Sequence, residues 1–228
     1  MNYLNWQKDV EQFNVKLKTE IDKNLKAHEF YNGFYVWDSK VVQNPDIMFI
    51  GINPGNGNPN NDKSVKVIPE EQMSYLEYLD GENPSYTLAR ETVDVFFKMG
   101  YSDEYLRNYL NNNTIKTNFF HIITTSELDI ANCINSLVGY NKKQYELDSY
   151  IFTAKLIDIL QPKLIIFEGK GVFELFKDYD DCVNYYWQDN VGYMERENGT
   201  KILGYGRTFS NIKNKVKLAD LIKFHLKA

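Results

Sequence analysis

Residues Ile47-Met48-Phe49-Ile50 form an unbroken apolar run that stops abruptly at Gly51-Ile52-Asn53-Pro54-Gly55. Consecutive apolar residues leave a strand no polar face, so this one must be covered on both sides, as in a parallel sheet flanked by helices. Lys163-Leu164-Ile165-Ile166-Phe167-Glu168-Gly169 repeats the pattern: a buried strand that also ends at a glycine. Ile115 to Ile123 and Lys201 to Gly206 read as further strands, and Asn198-Gly199 marks a hairpin turn before the last of them. Between the strands lie helical periodicities. Val10, Phe13, Leu17, Ile21 and Leu25 place one apolar stripe on a helix from Trp6 to Ala27. Ser85 to Met99, Asp103 to Leu110, Lys143 to Leu160, a helix opening at Gly171, and Asn214 to Leu226 follow. Helices alternating with apolar strands predict an α/β fold with a mostly parallel sheet. In such a sheet ligands sit beyond the carboxyl ends of the strands, so the loops after Ile50, Thr117, Phe167 and Leu203 are expected to line one crevice.

The 228 residues fit a single domain, 1–228, with an N-terminal helix in 1–30 and a basic strand and helix in 201–228. A composition of 43% hydrophobic and 25% charged residues excludes a disordered or collagenous chain. Only Cys133 and Cys182 occur, with no Cys or His beside them at ligand spacing, so neither a disulfide scaffold nor a cysteine zinc site is expected. No stretch reaches the ~18 apolar residues of a membrane span, and no leader pattern opens the chain. The expectation is a cytoplasmic monomer without a membrane partner. Net charge is −5, yet Lys201 to Ala228 holds seven basic residues and one acid, leaving −11 on the other 200 residues. That basic end faces either phosphate or solvent.

Gly51 to Gly55 has a chemical logic. Glycine admits a ligand close to the backbone, proline fixes the turn, and the Asn53 amide both donates and accepts. Asn56 to Pro69, rich in Asn, Gly and Pro, is either a functional loop or a mobile one. A phosphate-binding loop is excluded, because Gly55-Asn56-Gly57-Asn58-Pro59 lacks the Lys-Ser/Thr that would grip phosphate and magnesium. His121 stands three residues past Asn118, on the opposite face if the strand continues, and is expected to be packed or hydrogen-bonded rather than catalytic. Glu168 and Asp38 are acids near strand ends without partners that spacing identifies.

Ile47 to Gly55 resembles the first active-site motif of the uracil-DNA glycosylase superfamily, in particular its mismatch-specific thymine/uracil branch. Thr117-Asn118-Phe119-Phe120 resembles the superfamily strand whose Asn recognises the base, and Pro162 to Gly169 resembles its later strand. Order and spacing agree from about Val36 to the carboxyl terminus. The resemblance implies a three-layer α/β/α fold and an enzyme that flips a damaged base out of DNA and cleaves its N-glycosidic bond with no metal or other cofactor. Asn53 would position the attacking water or steady the sugar cation. Gly51, Ile52, Pro54, Gly55 and Asn118 would surround the base, Asn118 reading its edge. The second motif departs from the family. Where His-Pro-Ser or Asn-Pro-Ser is usual, the chain reads Gly204-Tyr205-Gly206-Arg207-Thr208-Phe209-Ser210-Asn211. A gapless overlay puts Tyr205 at the histidine and Phe209 near the side chain that wedges into the duplex, with Arg207 free for phosphate or for the anionic base and Ser210 in the same loop. Otherwise Gly-Tyr-Gly is an ordinary strand end and Phe209 packs in the core. Because of this departure, a catalytically inactive member of the fold that binds nucleic acid, a nucleotide or a protein stands as the alternative.

Overall fold

The computed structural model describes residues 2–54, 63–70 and 72–227. In chain order the elements begin α1 (Tyr3–Asp22), α2 (Leu25–Phe30), β1 (Phe34–Tyr35), β2 (Ile47–Gly51), β3 (Val65–Lys66) and α3 (Ser74–Leu79). They continue α4 (Thr87–Lys98), α5 (Asp103–Asn113), β4 (Thr114–Asn118), α6 (Glu127–Ile134), α7 (Lys142–Leu160), β5 (Leu164–Phe167) and α8 (Lys170–Lys177). The chain closes with β6 (Cys182–Gln188), β7 (Val191–Arg196), β8 (Lys201–Tyr205), β9 (Arg207–Thr208), β10 (Asn211–Ile212) and α9 (Lys215–Lys227). The protein is α/β. Its contacts divide it into two compact units, each drawn from three separate stretches: 1–37, 52–69 and 118–160 in the first, 38–51, 70–117 and 161–228 in the second.

The first unit is mainly helical. Trp6, Val10, Asn14, Leu17 and Ile21 form the buried stripe of α1, and the Trp6 indole donates to the Phe152 carbonyl of α7 at 2.8 Å. The single helix expected to Ala27 is two helices. Asn24 breaks it, its side chain accepting from the Ala27 N–H at 3.0 Å as the cap of α2, and Leu25, expected on the apolar stripe, is exposed. The aromatic stretch around Phe34 pairs in parallel with β3, Phe34 opposite Val65 and Tyr35 opposite Lys66.

The second unit holds a six-stranded sheet in the order β4-β2-β5-β8-β7-β6. β2, β5 and β8 run parallel, with Ile50 beside Phe167 and Phe167 beside Gly204. The sheet is mainly parallel but mixed, because two hairpins return β7 and β6 antiparallel. The expected Asn198-Gly199 turn joins β7 to β8, with Gly199 at φ +85°. A second turn, Asp189-Asn190, has both residues at positive φ and joins β6 to β7. Period-two alternation sorts the strands onto two faces. Ile47, Phe49, Leu164, Ile166, Leu203 and Tyr205 pack in one cluster with side chains of α3, α4, α5 and α9. Phe167 and Gly204 meet Phe173 of α8 on the other face. The strand expected to reach Ile123 ends at Asn118. No helix among the described residues is long and apolar enough to cross a membrane.

Candidate functional site

In the first unit the chain leaving β2 lies beside the chain leaving β4, with the Phe120 N–H donating to the Ile52 carbonyl at 2.9 Å. Ile52, Asn53 and Pro54 are half-buried, and Gly55 lies outside the described residues. The Asn53 amide nitrogen donates to Thr124 Oγ1 at 3.2 Å, and Thr124 Oγ1 donates to the Ser126 carbonyl at 2.8 Å. This order fixes which way the amide faces. A carbonyl can only accept, so it takes the one hydroxyl proton, and Thr124 is left to accept from the NH2 of Asn53. Asn53 Oδ1 is thereby turned away from Thr124 as an acceptor. The anchor is firm, because Thr124 is fully buried and Ser126 is the N-cap of α6, its side chain accepting from the Asp129 N–H. Thr124 was invisible as a partner in sequence, lying 71 residues from Asn53.

Asn118 is 5% exposed and ends β4. His121 is buried, with its Nδ1 3.5 Å from the Asn14 amide nitrogen, and burial pushes its pKa down to about 4. It is a packed, neutral histidine. The reason is not strand alternation, since the strand has ended three residues earlier, but desolvation beneath α1. Asn14, which supplies the contact, sits inside the apolar stripe of α1 and carried no sequence signal.

The second unit contributes Gly51, buried at the end of β2, and a polar cluster from distant parts of the sequence. Lys116 of β4 is buried and paired with Asp38, whose carboxylate also accepts from Ser74 Oγ at 2.7 Å. Its ammonium lies 5.1 Å from the centre of the Tyr75 ring and 5.9 Å from that of Tyr86. Burial lowers the Lys116 pKa, but Asp38 and Tyr86 outweigh it and the net direction is upward, so the group stays charged. Glu168, directly after β5, is buried, and desolvation drives its pKa up to about 8, with Arg207 pulling down and Asp38 pushing further up. Spacing gave no partner for either acid; the fold supplies Lys116 and Ser74 for Asp38 and leaves Glu168 Oε1 without one.

Tyr205 is the last residue of β8, its ring inside the core cluster and its phenol pKa raised well above normal by burial and then by Glu168. It is therefore a strand residue rather than part of the following loop. Arg207 is half-buried in β9. Phe209 and Ser210 form the two-residue turn between β9 and β10. Phe209 does not pack in the core. It is 91% exposed at φ +53°, an uncommon conformation for a bulky side chain, and it presents the ring outward at the hairpin tip. Of the basic tail, Lys215 is bridged to Glu91 and Asp94, and Lys217 to Asp189, which partly quenches the local charge.

An open depression of about 320 Å³, also in this unit, is lined by Gln72, Leu76, Asp80, Arg107, Asn108 and Asn111 and contains none of these groups. Its one cation, Arg107, is already paired with Asp80 and Asp103. Among the described residues no group of three or more His, Cys, Asp or Glu is placed to hold a metal ion. No protein-family model matches the chain, and no curated protein matches it in sequence.

Proposed function

We propose that this protein is a uracil-DNA glycosylase-like enzyme of three-layer α/β/α architecture that hydrolyses the N-glycosidic bond of a flipped uracil or related damaged base in DNA. The observation that carries the reading is the fixed amide of Asn53, directly after the buried strand of the Gly-Ile-Asn-Pro-Gly motif. With its NH2 held by Thr124, Oδ1 accepts a hydrogen bond from a water and aims the water's lone pair at C1′ of the sugar. The new O–C1′ bond forms as the C1′–N bond breaks, the bonding pair leaves with the base, and the water's surplus proton passes to solvent or to the departing base. An amide does not take the proton itself, so it positions water without acting as a strong base. Asn118 in the same unit supplies the donor and acceptor pair that a flipped pyrimidine edge requires. In the other unit, Phe209 at its hairpin tip is the apolar side chain available to enter a base stack, and Arg207 in the same hairpin is the cation available for phosphate. Buried Tyr205 takes no part in holding the base.

The test is excision from an oligonucleotide carrying one uracil, read as alkali-labile strand breaks. Asn53→Ala should slow excision at least about 100-fold, and Phe209→Ala should weaken it on duplex more than on single-stranded substrate. Binding without cleavage would assign the fold to a nucleic-acid binding module. Neither cleavage nor binding at low salt would remove both readings.

Thr124→Val supplies a finer check. It keeps the side-chain shape but leaves the Asn53 NH2 without its acceptor and the amide free to turn, at a cost of about 1–3 kcal/mol, or roughly 5- to 150-fold in rate. The loss should fall on kcat with KM little changed. An unaltered kcat would show that the amide needs no anchor.

A further inference from the structure

Glu168 is 2% exposed, and its Oε1 meets no hydrogen-bond partner. Its own N–H is spent on the Ile50 carbonyl at 2.9 Å, so the residue cannot leave the carboxyl end of β5 without breaking a strand contact. The next residue, Gly169, is the N-cap of α8 at φ +147°, and no side chain caps that helix. The N–H groups of the first turn of α8 therefore lack an internal acceptor. Arg207 closes the group: its Nε lies 3.5 Å from where a β-carbon on Gly169 would stand. Among the described residues its guanidinium makes no ion pair, although a buried carboxyl group lies close enough to feel its charge. A buried carboxyl group and a cation that acts on it thus stand beside the uncapped start of α8 without being paired to each other.

We propose that the Glu168 carboxyl group and Arg207 together bind a phosphate-type oxyanion at the N-terminus of α8. The guanidinium supplies charge, the helix N-terminus supplies N–H donors, and the protonated carboxyl donates one more hydrogen bond. The charged and titratable groups facing Glu168 are Arg207 from β9, Asp38 from the chain before β2, and the Tyr205 phenol from β8. Asp38 is held by Lys116, and Tyr205 also feels Arg207 and Tyr86. Burial keeps the Glu168 proton in place to about pH 8. Once that proton leaves, a carboxylate faces the oxyanion and takes up the charge of Arg207. The proposal builds on Arg207 as the nucleic-acid contact in the preceding reading, but it does not need base excision.

A uracil-free single-stranded oligonucleotide is the first probe, because phosphodiesters do not titrate between about pH 6.5 and 9.5. Wild type should lose about tenfold or more in affinity across that interval, as one buried like charge appears. Glu168→Gln, a permanent neutral donor, should bind as wild type does at pH 6.5 and lose less than about twofold. Arg207→Gln should bind poorly at both pH values. Inorganic phosphate, read by thermal shift at pH 6.5, is the second probe. A phosphate response without oligonucleotide binding keeps the oxyanion site and removes the nucleic-acid part of the functional reading. The same pH dependence in wild type and Glu168→Gln, or no response to either probe, would overturn the site. Uracil excision measured in parallel on the same variants separates this outcome from failure of the glycosylase reading.

Discussion

Glu168→Gln should make the protein more stable than wild type at alkaline pH and leave it nearly unchanged near pH 5. The folded protein keeps the Glu168 proton to about pH 8, whereas the unfolded chain releases it near the ordinary value of 4.5. A raised folded pKa means that this group's contribution is whole below 4.5 and is lost as pH rises through 8. At roughly 1.4 kcal/mol for each tenfold, the loss by pH 9 is on the order of 3–5 kcal/mol. Glutamine cannot ionise and escapes it. His121 has the opposite sign. Its folded pKa is pushed down to about 4 from 6.5, so its contribution is present above 6.5 and is lost as pH falls toward 4. The two groups nearly cancel between pH 4.5 and 6.5, which places a flat optimum there, with a fall on either side. Urea unfolding of wild type and Glu168→Gln at pH 5, 7 and 9 measures the gap. A gap that does not widen with pH would place the Glu168 carboxyl in water.

Gly204→Ala should destabilise the second unit by about 1–3 kcal/mol, and Phe173→Ala by about 3–5 kcal/mol. Gly192 and Gly204 are direct partners across β7 and β8. Together they form a slot into which α8 lowers the Phe173 ring. A methyl group on Gly204 would stand 2.5 Å from Phe173 Cγ, and one on Gly192 would stand 2.4 Å from the Trp187 ring and 2.8 Å from Phe173. Neither distance is compatible with packed carbon atoms, and a buried Phe173 has nowhere to retreat. The diagnostic is the double variant. With the ring gone only the Phe173 Cβ, 2.8 Å away, still crowds the methyl, so Gly204→Ala should cost clearly less in the Phe173→Ala background than in wild type. Simple addition of the two losses in thermal or urea unfolding would mean that the ring does not sit over the glycines.

The parts of the fold set by local pattern were legible in the sequence. The apolar runs at Ile47 and Leu164 fall in β2 and β5, and the periodic segments at Thr87, Asp103 and Lys142 are helices within a few residues of the expected bounds. What failed depended on competition between residues. Asn24 outbid the continuing stripe of α1 by capping a new turn, and α6 begins where Ser126 accepts from Asp129, a cap that the loop-like spelling of Thr124-Thr125-Ser126 concealed. Lys201 to Gly206 was legible as a strand, but the family overlay drew Tyr205 into the second-motif loop, whereas its packing among α4 and α9 side chains keeps it in β8. At the candidate site, Asn53 stood out for its place in a Gly-Ile-Asn-Pro-Gly loop after a buried strand, and Asn118 through the family resemblance alone. Asp38 and Glu168 showed only as acids without identified partners, Arg207 only through the overlay of the second motif, and Lys116 not at all. Each is an ordinary charged residue until the order β4-β2-β5-β8 collects them at one end of the sheet.

The division of the chain into two units has a consequence for anyone trying to isolate either. The polypeptide passes from one to the other five times, at 37/38, 51/52, 69/70, 117/118 and 160/161. No contiguous gene fragment encodes one whole unit without part of the other, and a single protease cut releases neither of them. Terminal truncation removes a piece of one and strands the rest, so deletion mapping of activity on this protein will report misfolding wherever the boundary is drawn. Point substitution is the tool that suits its architecture.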